Sequence, residues 1–161
     1  MTSFLYRMPS GIPGDISRRE NMTIESVPLD PNTPFSAYGL FGKIASGKLQ
    51  PITTGDTAAS VYGLLVRAYP TASAQDPLGT ATPPTSGIAS VERRGYMTVK
   101  LNSGTAALDG QVYVRVAAPS GPKVIGGIEA AADSTNTIAI TNCTFMGAAD
   151  ASGNVEIAYN I

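Results

Sequence analysis

The stretch VERRGYMTVKLNSGTAALDGQVYVRV, residues 91–116, limits what this chain can fold into more than any other. Over residues 96–101, Tyr96, Thr98 and Lys100 alternate with Met97, Val99 and Leu101. Over residues 111–116, Val112, Val114 and Val116 alternate with Gln111, Tyr113 and Arg115. Successive side chains of a strand point to opposite faces, so both runs read as half-buried β-strands. Asp109-Gly110, just ahead of the second run, is turn chemistry that antiparallel neighbours prefer, and the two runs are expected to pair.

The same pattern recurs along the chain. Residues 40–45 and 48–52 read as a hairpin turning at Ser46-Gly47, where glycine supplies the backbone angles of a tight turn. A polar turn at 53–57 leads into ASVYGLLVRAY, residues 59–69, an apolar strand in which Gly63 marks a bulge or a close backbone approach. Residues 70–90 form a long loop rich in Pro, Ser, Thr, Ala and Gly, a feature that often serves binding in compact domains. Further strands are expected at 123–129 and 137–140. A closing hairpin is expected at 144–148 and 154–159, over Ala151-Ser152-Gly153. Short strands in this number, with 17 Gly and 12 Pro and no amphipathic helical pattern, predict an all-β fold. We expect one small β-sandwich or barrel body over residues 37–161.

Residues 1–36 differ from the rest. They hold Pro9, Pro13, Pro28, Pro31 and Pro34 and show no sustained period of either kind. Proline lacks an amide donor and restricts its predecessor, so neither a helix nor a central strand is expected here. Yet Phe4, Leu5, Tyr6, Met8, Ile12 and Ile16 are scattered through the segment, whereas disordered tails are poor in such residues. An extended N-terminal arm whose apolar side chains find partners on another surface satisfies both facts. Folding back onto its own domain is the alternative.

Little in the chain could do chemistry. It has no histidine, the commonest general base and metal ligand, and a single cysteine. Zinc sites of the Cys/His type are thereby excluded, and Cys143, near Ile138, Ile140 and Phe145, reads as a buried inert thiol. Ala45-Ser46-Gly47-Lys48 lacks the spacing of a phosphate-binding loop, and DASGN at 150–154 lacks that of a calcium loop. The acids are dispersed rather than set in a glycosidase context. We therefore expect no enzyme, cofactor, metal site or small-molecule substrate. A net charge of −1 and a pI of about 5.3 argue against nucleic acid as a partner. No apolar run approaches the roughly 20 residues of a membrane span, and the first residues lack the layout of a secretory signal. The glycosylation triplets at Asn21 and Asn142 are accordingly read as chance. Two basic pairs remain, Arg18-Arg19 and Arg93-Arg94. Arginine suits bidentate contact with carboxylates at interfaces, and Asp15, Glu20 and Glu25 beside the first pair argue against phosphate.

RMPSGIPGDISRRE (7–20), VYGLLVRAYPT (61–71), GIASVERRGYMTVKL (87–101) and FMGAADASGNVEIAYNI (145–161) resemble, in this order, the structural cement proteins of tailed bacteriophages. The run KLQPITTGDTAASVYGLLVRAY is also similar in layout to a stretch of lambda-type head-decoration proteins. The resemblance implies a β-tulip-like body with an N-terminal extension, made in the host cytoplasm and seated on the outer surface of the assembled head. It implies the major capsid (coat) protein as partner, a homotrimer as the assembly, and no catalytic residue. On that reading Phe4, Tyr6, Arg7, Met8, Pro9, Ile12, Arg18 and Arg19 are the expected coat-protein contacts. Arg93, Arg94 and Tyr96 are the expected contacts between subunits. The competing expectation is a carbohydrate- or receptor-binding module of a virion; seven tyrosines and the 70–90 loop favour it, and the absence of tryptophan weighs against it.

Overall fold

The computed structural model describes residues 11–68 and 82–161. Nine strands follow one another among them: β1 (Ile16–Pro28), β2 (Phe41–Ala45), β3 (Lys48–Pro51), β4 (Gly63–Leu65), β5 (Ile88–Ser103), β6 (Gln111–Arg115), β7 (Ile128–Glu129), β8 (Thr137–Phe145) and β9 (Asn154–Tyr159). Among the described residues the helical pieces are single 3₁₀ turns at Ala58–Ser60 and Ser134–Asn136. The all-β fold expected from the alternating runs is the fold observed.

β5 is the strand on which the others are hung. It runs for 16 residues, pairing antiparallel with β1, β4 and β9 and parallel with β7. β1 and β4 flank its first half, where Ile24 and Leu64 both face Glu92. β9 runs beside its middle, from Gly95 to Lys100, and β7 joins its end at Leu101 and Ser103. From β5 the pairings pass through β7, β6, β8 and β9 and return to β5, so these strands close on themselves. β4, β2 and β3 continue from β5 as a wing whose last strand, β3, is bridged at Leu49 by Leu29, the residue after β1. Met97 and Val99 of β5 enter the core of the closed part with Val112, Val114, Ile128 and Phe145. Ala89 and Val91 enter a second core with Val27, Leu29, Phe35, Leu49 and Leu65. These β5 residues are all odd-numbered, as one face of a single strand requires.

The hairpin at 40–52 forms as expected, with Ser46 at φ 51° and Gly47 at φ 76°, the two positive angles of a primed two-residue turn. Gly63 is a close approach: a Cβ there would lie 2.5 Å from the Glu92 carbonyl oxygen across the β4–β5 pair. The segments 137–140 and 144–148 are parts of one strand system rather than two. β8 bends at Asn142, at φ 52°, pairing with β6 before the bend and mainly with β9 after it. The expected pairing of the two alternating runs fails. β5 and β6 are not neighbours, because β7 lies between them and pairs with both. The short β7 brings Glu129 to Arg115, and that contact accounts for the insertion.

Ile16–Pro28 is a strand where none was expected. Pro13 and Pro28 bracket it without interrupting it, and no periodicity announces it because residues 17–26 are exposed throughout. Beyond it, Val27, Leu29 and Phe35 sit in the second core, so residues 27–35 are tied into the body.

The alternation over 111–116 is right, yet Arg115 on its polar side is 1% exposed and Glu129 2%. The segment after β6 covers that side. Arg115 Nη2 donates to Glu129 at 3.0 Å and Asp133 at 2.6 Å, Nε donates to Glu129, and Nη1 donates to the carbonyls of Ala117 and Ala118 at 3.1 and 3.2 Å. A buried charge persists only with such a set of partners. Arg115→Ala strands the Glu129 carboxylate and should cost about 3–5 kcal/mol in urea unfolding; a loss below about 1 kcal/mol would contradict this role.

Candidate interaction surface

β1 stands apart from the rest of the sheet. Among the described residues it pairs with β5 alone, so its other edge presents unpaired backbone N–H and C=O groups. Arg18 faces Tyr96 and Thr23 faces Arg94, which leaves residues 19–22 bulging out of the ladder, with Asn21 at φ 60°. Met22 and Ile24 are apolar side chains left in solvent, and Ile88, at the start of β5 opposite Pro28, is 76% exposed. A long open edge with apolar side chains is a template for another chain unless something covers it.

The residues ahead of β1 are anchored firmly. Gly14 donates to the Thr98 carbonyl at 2.8 Å and accepts from the Arg67 amide at 2.8 Å, while Asp15 accepts from the Thr98 amide at 2.9 Å. Only glycine fits here, since a Cβ would lie 2.5 Å from Tyr38 Cβ and the residue sits at φ +91°. Ile12 is half-buried at this anchor. Phe4, Tyr6, Arg7, Met8 and Pro9 lie outside the described residues.

The two arginine pairs split. Arg18 clasps Glu156 of β9 through Nε at 3.0 Å and Nη2 at 2.7 Å, and its guanidinium lies 4.4 Å over the half-buried Tyr96 ring. Ser17 donates to the same carboxylate at 2.6 Å. Arg93 lies 3.7 Å over the Tyr62 ring, donates to the Tyr62 carbonyl and sits 3.8 Å from Glu25, which also accepts from the Tyr62 hydroxyl. Arg18 and Arg93 therefore fasten β1 to the body within one subunit. Arg19 and Arg94 are exposed and form no ion pair among the described residues. Neighbouring residues of a strand face opposite ways, and each pair divides along that line.

Among the described residues no group of three acids or cysteines is placed to hold a metal ion. Against known families, the one described as XM1 gp53 minor capsid protein matches residues 1–159. The chain belongs to this family. A search of curated proteins returned no match. Among solved structures, the capsid of Myoviridae phage XM1 holds a chain of the same fold, with a TM-score of 0.70 at 17% identity. The likeness covers 98% of this chain and 95% of that one. This gp53-family member is thus a structural protein associated with a phage capsid, its place is the virion, and the resemblance to phage structural proteins is confirmed.

The gp53-family surface has a feature that periodicity does not reveal. Glu92 is fully buried beneath the β1 bulge, and neither carboxyl oxygen has a hydrogen-bond partner among the described residues. Gly95 makes room for it: a Cβ there would lie 2.3 Å from Glu92 Oε1 and 3.4 Å from Met22 Cα. Burial pushes the Glu92 carboxyl up from 4.5 to about 7. The Cys143 thiol nearby is itself raised, first by its burial and then by Glu92, which agrees with its expected inertness. The folded protein therefore keeps a proton on Glu92 that the unfolded chain releases above pH 4.5. Stability falls as pH rises from there through about 7, by about 3 kcal/mol in all. Glu92→Gln should fold and lose this decline when urea midpoints at pH 5, 6.5 and 8 are compared with wild type. An equal decline in the variant would assign it to other groups.

Proposed function

We propose that this capsid protein binds the outer surface of the assembled phage head as a homotrimer and stabilises the lattice by clamping adjacent capsomers through the major coat protein. The observation that carries this reading is β1, exposed over residues 17–26 and open along one edge, in a chain whose family is a minor capsid protein. An extended segment of a neighbour added to that edge would satisfy its backbone groups and cover Met22 and Ile24. Phe4, Tyr6, Arg7, Met8, Pro9 and Ile12 precede β1 in the sequence and, on this reading, extend the contact. Arg19 and Arg94 are available for partners; Arg18, Arg93 and Tyr96 act by holding the surface in shape.

A protein that binds only the assembled, expanded lattice stabilises that state by mass action. Three copies joined together turn weak single contacts into firm attachment. Among the described residues, most tyrosine rings are committed: Tyr62 and Tyr96 lie under guanidinium groups, and Tyr38 and Tyr159 are buried.

The test is co-sedimentation of the purified protein with DNA-free heads before and after expansion. Wild type should bind expanded heads and raise the temperature at which they come apart. Removal of residues 2–10 should leave urea unfolding of the body unchanged and weaken binding about tenfold or more. Wild type that leaves expanded heads unbound and no more stable would reject the reading.

A further inference from the structure

Beside the bulge of β1 lies a cleft of about 380 Å³ lined by Asp15, Ile16, Arg19, Met22, Val66 and Arg67. Its walls come from the two segments that Gly14 locks together, so the cleft is built into the fold. Arg67 is 8% exposed, with its guanidinium 5.3 Å from the Tyr38 ring centre. Its Nε and Nη2 are sealed from solvent and have no hydrogen-bond partner among the described residues. These two atoms form the side-on edge of a guanidinium, which takes a carboxylate as a fork. Elsewhere in this molecule the same edge is filled: Arg18 Nε and Nη2 hold Glu156, and Arg115 Nε and Nη2 hold Glu129. In Arg67 that edge is vacant. Buried donors without an acceptor are costly, so the site gains by receiving one. Asp15 feels the Arg67 charge but forms no ion pair with it, and two guanidiniums against one carboxylate leave the cleft positive.

We propose that this cleft is a socket for an acidic side chain, an Asp or Glu carried on an apolar segment of a coat-protein neighbour. Its carboxylate accepts from the Nε–Nη2 edge of Arg67 at the base and from Arg19 at the rim. Ile16, Met22 and Val66 receive the apolar residues on either side. Seating the carboxylate requires Met22 and Arg19, both on the bulge, to swing outward. The naming of the coat protein as donor rests on the head-binding reading above; the chemistry of the socket does not.

Two measurements separate the two claims. In the first, the full-length protein is titrated with the capped peptide acetyl-Leu-Glu-Leu-amide, its Gln counterpart and inorganic phosphate, following backbone amide resonances. The Glu peptide should shift Ile16, Val66 and Arg67 to saturation, and the other two probes should not. Asp15→Asn should tighten the Glu peptide several-fold and Arg19→Glu should weaken it about tenfold, because both act through charge at the rim. Equal responses to the Glu and Gln peptides, or to phosphate, overturn the socket. In the second, the same variants are bound to expanded heads. Weaker binding by Arg19→Glu and tighter binding by Asp15→Asn identify the acid as one on the coat, and equal binding by all three proteins overturns that assignment. Wild type that ignores heads while the peptide results hold leaves the socket standing and removes the coat protein as its partner.

Discussion

One strand has to satisfy four neighbours, and the rest of the molecule is arranged so that it can. β5 carries β1 and β4 beside its first half, β9 beside its middle and β7 at its end. A strand has only two edges, so the partners must succeed one another along it, and backbones must come close where one hands over to the next. Gly63 permits the approach of β4 to the Glu92 carbonyl, and Gly95 clears the space between the β1 bulge and the Glu92 side chain. The same strand unites the two cores, sending Ala89 and Val91 into one and Met97 and Val99 into the other. Loss of its pairing would separate the closed ring from the wing and release β1 from both.

β1 is the one neighbour of β5 that gains little core in return. Its residues 17–26 bury almost nothing in the subunit, and two polar devices hold it instead. Arg18 reaches across to Glu156 above Tyr96, and Glu25 meets the stacked Tyr62–Arg93 pair. Exposed ion pairs contribute modestly by themselves. Their joint effect with the Gly14 anchor is positional: they hold an open strand edge at a set place on a rigid body. A segment held this way is suited to being completed by another protein, as the proposed role in the capsid requires.

Where an apolar face alternates with a polar one, the residues announced the structure. The hairpin at Ser46-Gly47, the alternating runs at 96–101 and 111–116, the close approach at Gly63 and the buried thiol of Cys143 all follow from local chemistry. β1 was illegible because a strand exposed on both faces has no hydrophobic period to display. The insertion of β7 between β5 and β6 was illegible for another reason. A two-residue strand is specified by the buried partnership of Arg115 and Glu129, residues 14 apart in the chain, not by its own sequence. The arginine pairs were visible as candidates, but which member of each is satisfied internally depends on Glu156, Tyr96, Tyr62 and Glu25 arriving from distant segments. The vacant edge of Arg67 and the buried Glu92 carboxyl could not be read at all, since both are defined by partners that are absent.

The account turns on β1 being left open in the subunit and closed by a neighbour on the head. Amide hydrogen exchange along residues 17–26, compared between free protein and protein bound to expanded heads, tests it most directly. Amides on the outer edge should exchange rapidly in the free protein and slow by about a hundredfold or more on the head, while β5 stays protected in both. Identical rates along β1 in the two states would show that its edge meets nothing in the capsid and would contradict the account.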